Sequence, residues 1–127
     1  MKFLCLGYFD RASMDPLSKA EIAVLMGECA PHTKQLYATG KVALDVGVDV
    51  KSKSLRRVNG KILASDGPFI KGKEMVGSAF IVEAKDMEDA IRIASLHPSA
   101  QLDAGEKFRW GIEIRPIHYF GKGDGKG

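Results

Sequence analysis

Two short runs constrain the fold more than anything else in the chain. "KFLCLGY" (residues 2–8) and "MVGSAFIVEA" (residues 75–84) are apolar on both sides of a two-residue alternation. The first is too short for a helix, and both read as strands inside a sheet with each face covered. One cover is normally a layer of helices. A strand that is apolar on its other side as well needs a second cover, and the rest of the chain has to be read with that demand in view.

Helical patterns supply the first cover. In "SKAE", Ser18 and Glu21 have the capping-box spacing, which predicts a helix from Ser18 with Ile22, Leu25, Met26, Cys29 and Leu36 on one stripe and Gly40 as its stop. Pro31 has no N–H and its ring meets the carbonyl one turn earlier, so a kink or two abutting helices are expected there, both halves facing the same core. "DMEDAIRIASLH" predicts a second helix capped by Asp86, burying Met87, Ala90, Ile91 and Ala94 and ending at Pro98.

The remaining strands are read from alternation and turn chemistry. "KVALDVGV" (residues 41–48) sets Val42, Leu44, Val46 and Val48 against smaller or polar residues, a strand with one apolar face. Asn59-Gly60 between "SLRRV" and "KILAS" is the signature of a two-residue hairpin with positive φ at both turn positions. "SDGPFIKGKE" (residues 65–74) follows as a loop, a further loop contains Gly105, and "RWGIEIRPI" is the last strand. The expected class is α+β: a ferredoxin-like β-α-β-β-α-β domain with an extra hairpin over residues 1–120, and a flexible, glycine-rich tail over 121–127. A second copy of the chain is the economical cover for the helix-free face, which leaves a pocket between two sheets.

Composition narrows the function classes. A chain of 127 residues fits one domain, and a net charge of +3 with spread lysines permits an anionic ligand without calling for nucleic acid. RNA-recognition domains share this element order, but they need stacking aromatics where this chain has Ser78 and Glu83 and a basic residue where it has Val76. Cys5 and Cys29 sit in apolar settings as free thiols, no signal peptide is evident, and no run reaches the roughly 20 apolar residues of a membrane span. The expectation is a cytoplasmic protein with no membrane partner.

Charged residues concentrate at two places. In "WGIEIRPI", Glu113 and Arg115 share one strand face, opposite Ile112 and Ile114. They are either an ion pair on an edge or an anion-holding pair facing the second sheet. In "SDGPFIKGKE", Asp66, Lys71, Lys73 and Glu74 gather beside a loop, with Asp66 as base or ligand-holder and Lys73 and Glu74 shaping a pocket. A turn cap and a solvated rim explain the same residues. His32, close to the first helix's apolar stripe, is a candidate for acid/base work, whereas His97 before Pro98 reads as a C-terminal cap. His32, His97 and His118 have no metal-ligand spacing, and no cofactor motif is present.

With "GKILASDGPF", "AIRIASLHPSA" and "EIRP" in order along most of its length, the chain resembles the YCII-related family in its DGPF-domain branch. The resemblance implies a ferredoxin-like domain that pairs into a dimeric α/β barrel. It also implies activity through a His-Asp pair in a cleft, some relatives resembling lyases or dehydrohalogenases of small cyclic organic acids and others accompanying extracytoplasmic-function sigma factors. Lys71 stands where the family often has Glu, a change that favours a more anionic ligand, and the first-helix histidine is commonly absent from the branch. The expected protein is a homodimer binding a small organic anion through Lys73, Glu74, Glu113 and Arg115, with Asp66 or His32 as base. A non-catalytic ligand-sensing or regulatory module is the alternative.

Overall fold

Phe3, Cys5, Phe80 and Val82, all from the two runs that are apolar on both faces, are almost fully excluded from solvent, and the rest of the fold is arranged around them. The computed structural model describes residues 1–123, so most of the expected tail, residues 124–127, lies outside the described residues. In chain order the elements are β1 (Lys2–Asp10), α1 (Arg11–Met14), α2 (Lys19–Ala38), β2 (Val42–Gly47), β3 (Lys53–Val58), β4 (Lys61–Asp66), β5 (Glu74–Glu83), α3 (Met87–Ala94), α4 (Pro98–Gln101), α5 (Ala104–Lys107) and β6 (Gly111–Pro116). The class is mixed α+β. Four antiparallel strands form one sheet in the order β2-β5-β1-β6, and β3 with β4 forms a separate two-stranded sheet.

Both long helices cover one face. Leu36 from α2 and Ala90, Ile93 and Ala94 from α3 join the core cluster of Phe3, Cys5, Phe80 and Val82, with Ile112 and Ile114 of β6 packed against it. The capping box at Ser18 forms as expected, Ser18 Oγ accepting from Glu21 N and Glu21 Oε1 from Ser18 N. Asn59 and Gly60 take φ values of 51° and 77°, the positive pair that a two-residue hairpin demands. Among the described residues no helix is long and apolar enough to cross a membrane.

Four expectations about the helices need correction. Pro31 does not divide α2, which runs unbroken through it; the carbonyl it deprives belongs to Gly27, which is exposed, so water can take the lost place. Of the expected stripe on α2, Leu25 and Leu36 are buried and Cys29, with His32, is half-buried, while Ile22 and Met26 face outward at 37% and 48% exposure. On α3 the buried residues are Asp89, Ala90, Ile93 and Ala94, and Met87 and Ile91 turn outward. Asp89 is held there by hydrogen bonds: it accepts from Lys85 N at 2.9 Å and pairs with Arg92, and these contacts keep its carboxyl below the usual range. Finally, the segment around Gly105 is not a plain loop but the two short helices α4 and α5. Gly105 N donates to Leu102 O in that tight connection. A Cβ at Gly105 would stand 2.4 Å from Ser99 O, so the close approach requires glycine.

The strand β2 departs from its alternation for a specific reason. Val42 pairs with Val82, but Leu44 pairs with Ile81, so Ala43 is an extra residue in the ladder. That bulge leaves Val42 packed against the core cluster and turns Leu44 and Val46 to the helix-free face. Val42, Leu44 and Val46 therefore do not form the single apolar face that their spacing suggests.

Because Phe80 is fully buried at the centre of this sheet and stacks on the His97 ring, Phe80→Ala should lower the unfolding free energy by about 3–5 kcal/mol in a denaturant titration.

Candidate functional site

The helix-free face of the sheet carries both apolar and charged residues. Register places Leu4 beside Arg115 and Leu6 beside Glu113, while Ile112 and Ile114 point to the core on the other side. Glu113 and Arg115 thus share the helix-free face with Leu4, Leu6, Tyr8, Ile81, Leu44 and Val46. A second irregularity lies where β5 skips Gly77 between the Gly7–Ser78 and Tyr8–Val76 pairs. Phe9 lies against Gly77 so closely that a Cβ there would be 2.8 Å from the ring. The bulge keeps Tyr8 and Val76 on the helix-free side.

At that end of the sheet a cleft of about 870 Å³ opens. Its floor is Tyr8, Val76 and Glu113 from the helix-free face, with the chain at Met75 and Ile112 between them; one wall is the chain from Val48 to Ser52, and another is Pro68, Phe69 and Ile70, with Glu74 at the edge. The corner that presents Phe69 is built by Gly67, whose φ of 91° favours glycine. Gly67 N donates to Ser52 O at 2.9 Å and Ser54 Oγ donates to Gly67 O at 2.6 Å, tying both walls together. Phe69 lies against the Arg56 guanidinium, 4.3 Å from ring centroid to cation.

The polar groups of the cleft come in pairs. Tyr8 Oη donates to Glu113 Oε1 at 3.4 Å and Arg115 Nε donates to Glu113 Oε2, so one carboxylate is held by a phenol and a guanidinium. Glu74 Oε1 accepts from Arg109 Nε at 3.2 Å across the cleft's edge. Asp49 Oδ1 accepts from Lys51 N at 3.1 Å, a local turn in the wall that both residues line. Apolar floor plus a few convergent polar groups is the usual make-up of a small-molecule site.

Of the residues singled out from sequence, Glu74 and Glu113 line this cleft and Arg115 holds Glu113 from beside it. Asp66 ends β4 in an ion pair with Lys53 at 2.7 Å, with its side chain 86% exposed, and it lies outside the lining. Lys71 and Lys73 are exposed and also outside it. His32 is on α2, across the sheet from Glu113; it is half-buried, and its Nδ1 has no hydrogen-bond partner among the described residues. Tyr8, Asp49, Lys51 and Arg109 were not singled out. Tyr8 has the same parity on β1 as Leu4 and Leu6 and was open to that inference, whereas the meeting of Arg109 with Glu74 joins segments 35 positions apart and leaves no local signal. Among the described residues no three His, Cys, Asp or Glu side chains gather as a metal site.

His97 is not the C-terminal cap that its place before Pro98 suggests. It caps the start of α4, its Nδ1 accepting from Ser99 N at 3.0 Å, and its ring stacks on Phe80 with centroids 5.1 Å apart. Nδ1 can accept only while the ring is neutral. Burial pushes the His97 pKa below its ordinary 6.5, against a smaller opposing pull from Asp45. The unfolded chain therefore takes up the proton first. The stability from His97 is complete above pH 6.5 and declines as the pH falls below it. Unfolding titrations across that range should show this slope in the wild type and a shallower one in His97→Gln.

A family model, that of the YCII-related domain, matches residues 1–110. No curated protein matches the chain. The matched region stops just short of β6, yet β6 pairs with β1 along its whole length and supplies Glu113, so the folded unit extends beyond the match.

Proposed function

The chain belongs to the YCII-related domain family, and on that premise we propose that it binds a small organic anion in the cleft beside Glu113 and carries out acid/base chemistry there. The observation that carries this reading is the setting of Glu113: a carboxylate on an apolar floor, held by Tyr8 and Arg115 in a cleft that Lys51 also lines. In this reading Glu113 moves the proton, with Tyr8 as its hydrogen-bonded neighbour. Arg115 and Lys51 hold the anionic end of the ligand, because a guanidinium matches a carboxylate in two places and an ammonium adds a point charge. Glu74 and Arg109 form the rim. Asp66 and Lys73 flank the Phe69 loop and tune its position and charge, and His32 takes no part.

The working form we propose is a homodimer of the DGPF branch, in which two ferredoxin-like sheets meet by their helix-free faces as an α/β barrel. Leu44 at 51% exposure and Val46 at 40%, with Leu4, Leu6 and Ile81 beside them, form an apolar patch that a monomer rarely leaves to water. The free thiols Cys5 and Cys29 suit a reducing compartment, in our reading the cytoplasm. Burial pushes the Cys5 thiol up to about 11, so it is inert rather than catalytic.

A thermal-shift panel of small mono- and dicarboxylates tests the assignment. At least one should raise the wild-type Tm by a few degrees near saturation. Arg115→Ala should lose most of that shift, while Glu113→Gln should keep binding and lose turnover by about 10²-fold or more. A panel that leaves the wild type unmoved, or an Arg115→Ala protein that responds as the wild type does, would overturn it. A carboxylate bound without turnover would mark a ligand-sensing module instead.

A further inference from the structure

The β3–β4 hairpin is the part of the structure its own chain explains least. It forms a two-stranded sheet apart from the main one, and all its residues except Ser54 are exposed. A hairpin alone is marginal in water, and this one spends apolar residues on its surface. Register puts Leu55 opposite Ala64 and Arg57 opposite Ile62, so these four share a face. Leu55 is 62% and Ile62 69% exposed. The other face has an occupant from its own chain, since Arg56 holds Phe69 there.

Charge points to the kind of surface that fits the free face. The hairpin carries Lys53, Arg56, Arg57 and Lys61 against Asp66 alone, an excess of cations in a short arm. The cleft's lining carries Asp49, Glu74 and Glu113 against Lys51, over an apolar floor; Arg115 and Arg109 pair with Glu113 and Glu74, so among the described residues Asp49 is the lining carboxylate without an ion pair. Six-residue strands give the arm a reach of about 20 Å. It springs from the cleft's own edge, because Ser52 before β3 and Pro68 after β4 both line that cleft. Yet the Leu55–Ile62 face stays exposed in its own chain, and the cleft of another copy offers it an apolar surface with a carboxylate beside it.

We propose that the β3–β4 hairpin is an arm that closes over the cleft of a second copy, laying Leu55 and Ile62 on its apolar part and setting Arg57 against Asp49. In a two-fold pair the contact is made twice, each copy giving an arm and receiving one. The cleft is then walled in trans, and a ligand in it meets a guanidinium from the neighbouring chain. This inference rests on the dimer proposed above, and its failure can be told apart from the failure of that dimer.

Sedimentation equilibrium of the wild type, Leu55→Ser/Ile62→Ser and Arg57→Glu makes the distinction. The altered side chains are exposed, so far-UV circular dichroism of each variant at low concentration should match the wild type. The double variant should weaken association by at least about tenfold, and Arg57→Glu should weaken it more at low salt than at high. A wild-type dimer whose association constant changes less than twofold in the double variant would overturn the arm and leave the dimer standing; a monomeric wild type would overturn both. Hydrogen exchange gives a second readout that needs no variant. Amides of residues 53–66 should lose protection on dilution through the dissociation range, and protection independent of concentration would also overturn the arm.

Discussion

The antiparallel pairing of β1 with β5 is the contact on which everything else depends. It places Phe3 beside Val82 and Cys5 beside Phe80 at the centre of the core, and it sets Leu4 beside Ile81 and Leu6 beside Ala79 on the reverse. Helices α2 and α3 satisfy the first face. Among the described residues no helical layer covers the second, and that asymmetry underlies both the proposed dimer and the position of the cleft. The bulge at Ala43 deepens it by adding Leu44 and Val46 to the open side.

The same pairing fixes the chemistry. Because side chains alternate, a strand next to β1 that gives Ile112 and Ile114 to the core has to give Glu113 and Arg115 to the open face. There Tyr8 reaches Glu113, and the Phe69 corner and the 48–52 segment close in from the sides. A carboxylate held by a phenol and a guanidinium is poised between structural ion pair and proton-transfer group. The cleft around it, rather than the pair itself, tips the reading toward function.

Much of this was legible in the sequence wherever a rule depends on neighbours only. The capping box at Ser18, the cap at Asp86, the Asn59-Gly60 turn and the shared face of Glu113 and Arg115 all form as their spacing dictates. Expectations that depended on what lies across the fold were less secure. Ile22 and Ile91 fit an apolar stripe but turn outward, while Leu25 and Leu36 are buried as expected and Ile93 takes the inward place on α3. His97 looked like the end of one helix and is the start of another, because α3 stops at Ala94 and Pro98 opens α4. The composition of "SDGPFIKGKE" supports both a charged site and a turn with a solvated rim; the structure uses it as a Gly67 corner that delivers Phe69 to the cleft, with Asp66 taken up by Lys53.

The central claim is that the helix-free face is the interior of an assembly. Methyl NMR with a neutral paramagnetic chelate in the solvent tests it most directly, read at Leu4, Leu6, Leu44 and Val46 with Val24 of α2, 65% exposed, as the solvent-facing control. At high protein concentration the four inner methyl groups should be shielded from relaxation while Val24 is strongly broadened. Broadening of Leu44 and Val46 equal to that of Val24 would contradict the claim and leave the sheet with a wet, apolar face.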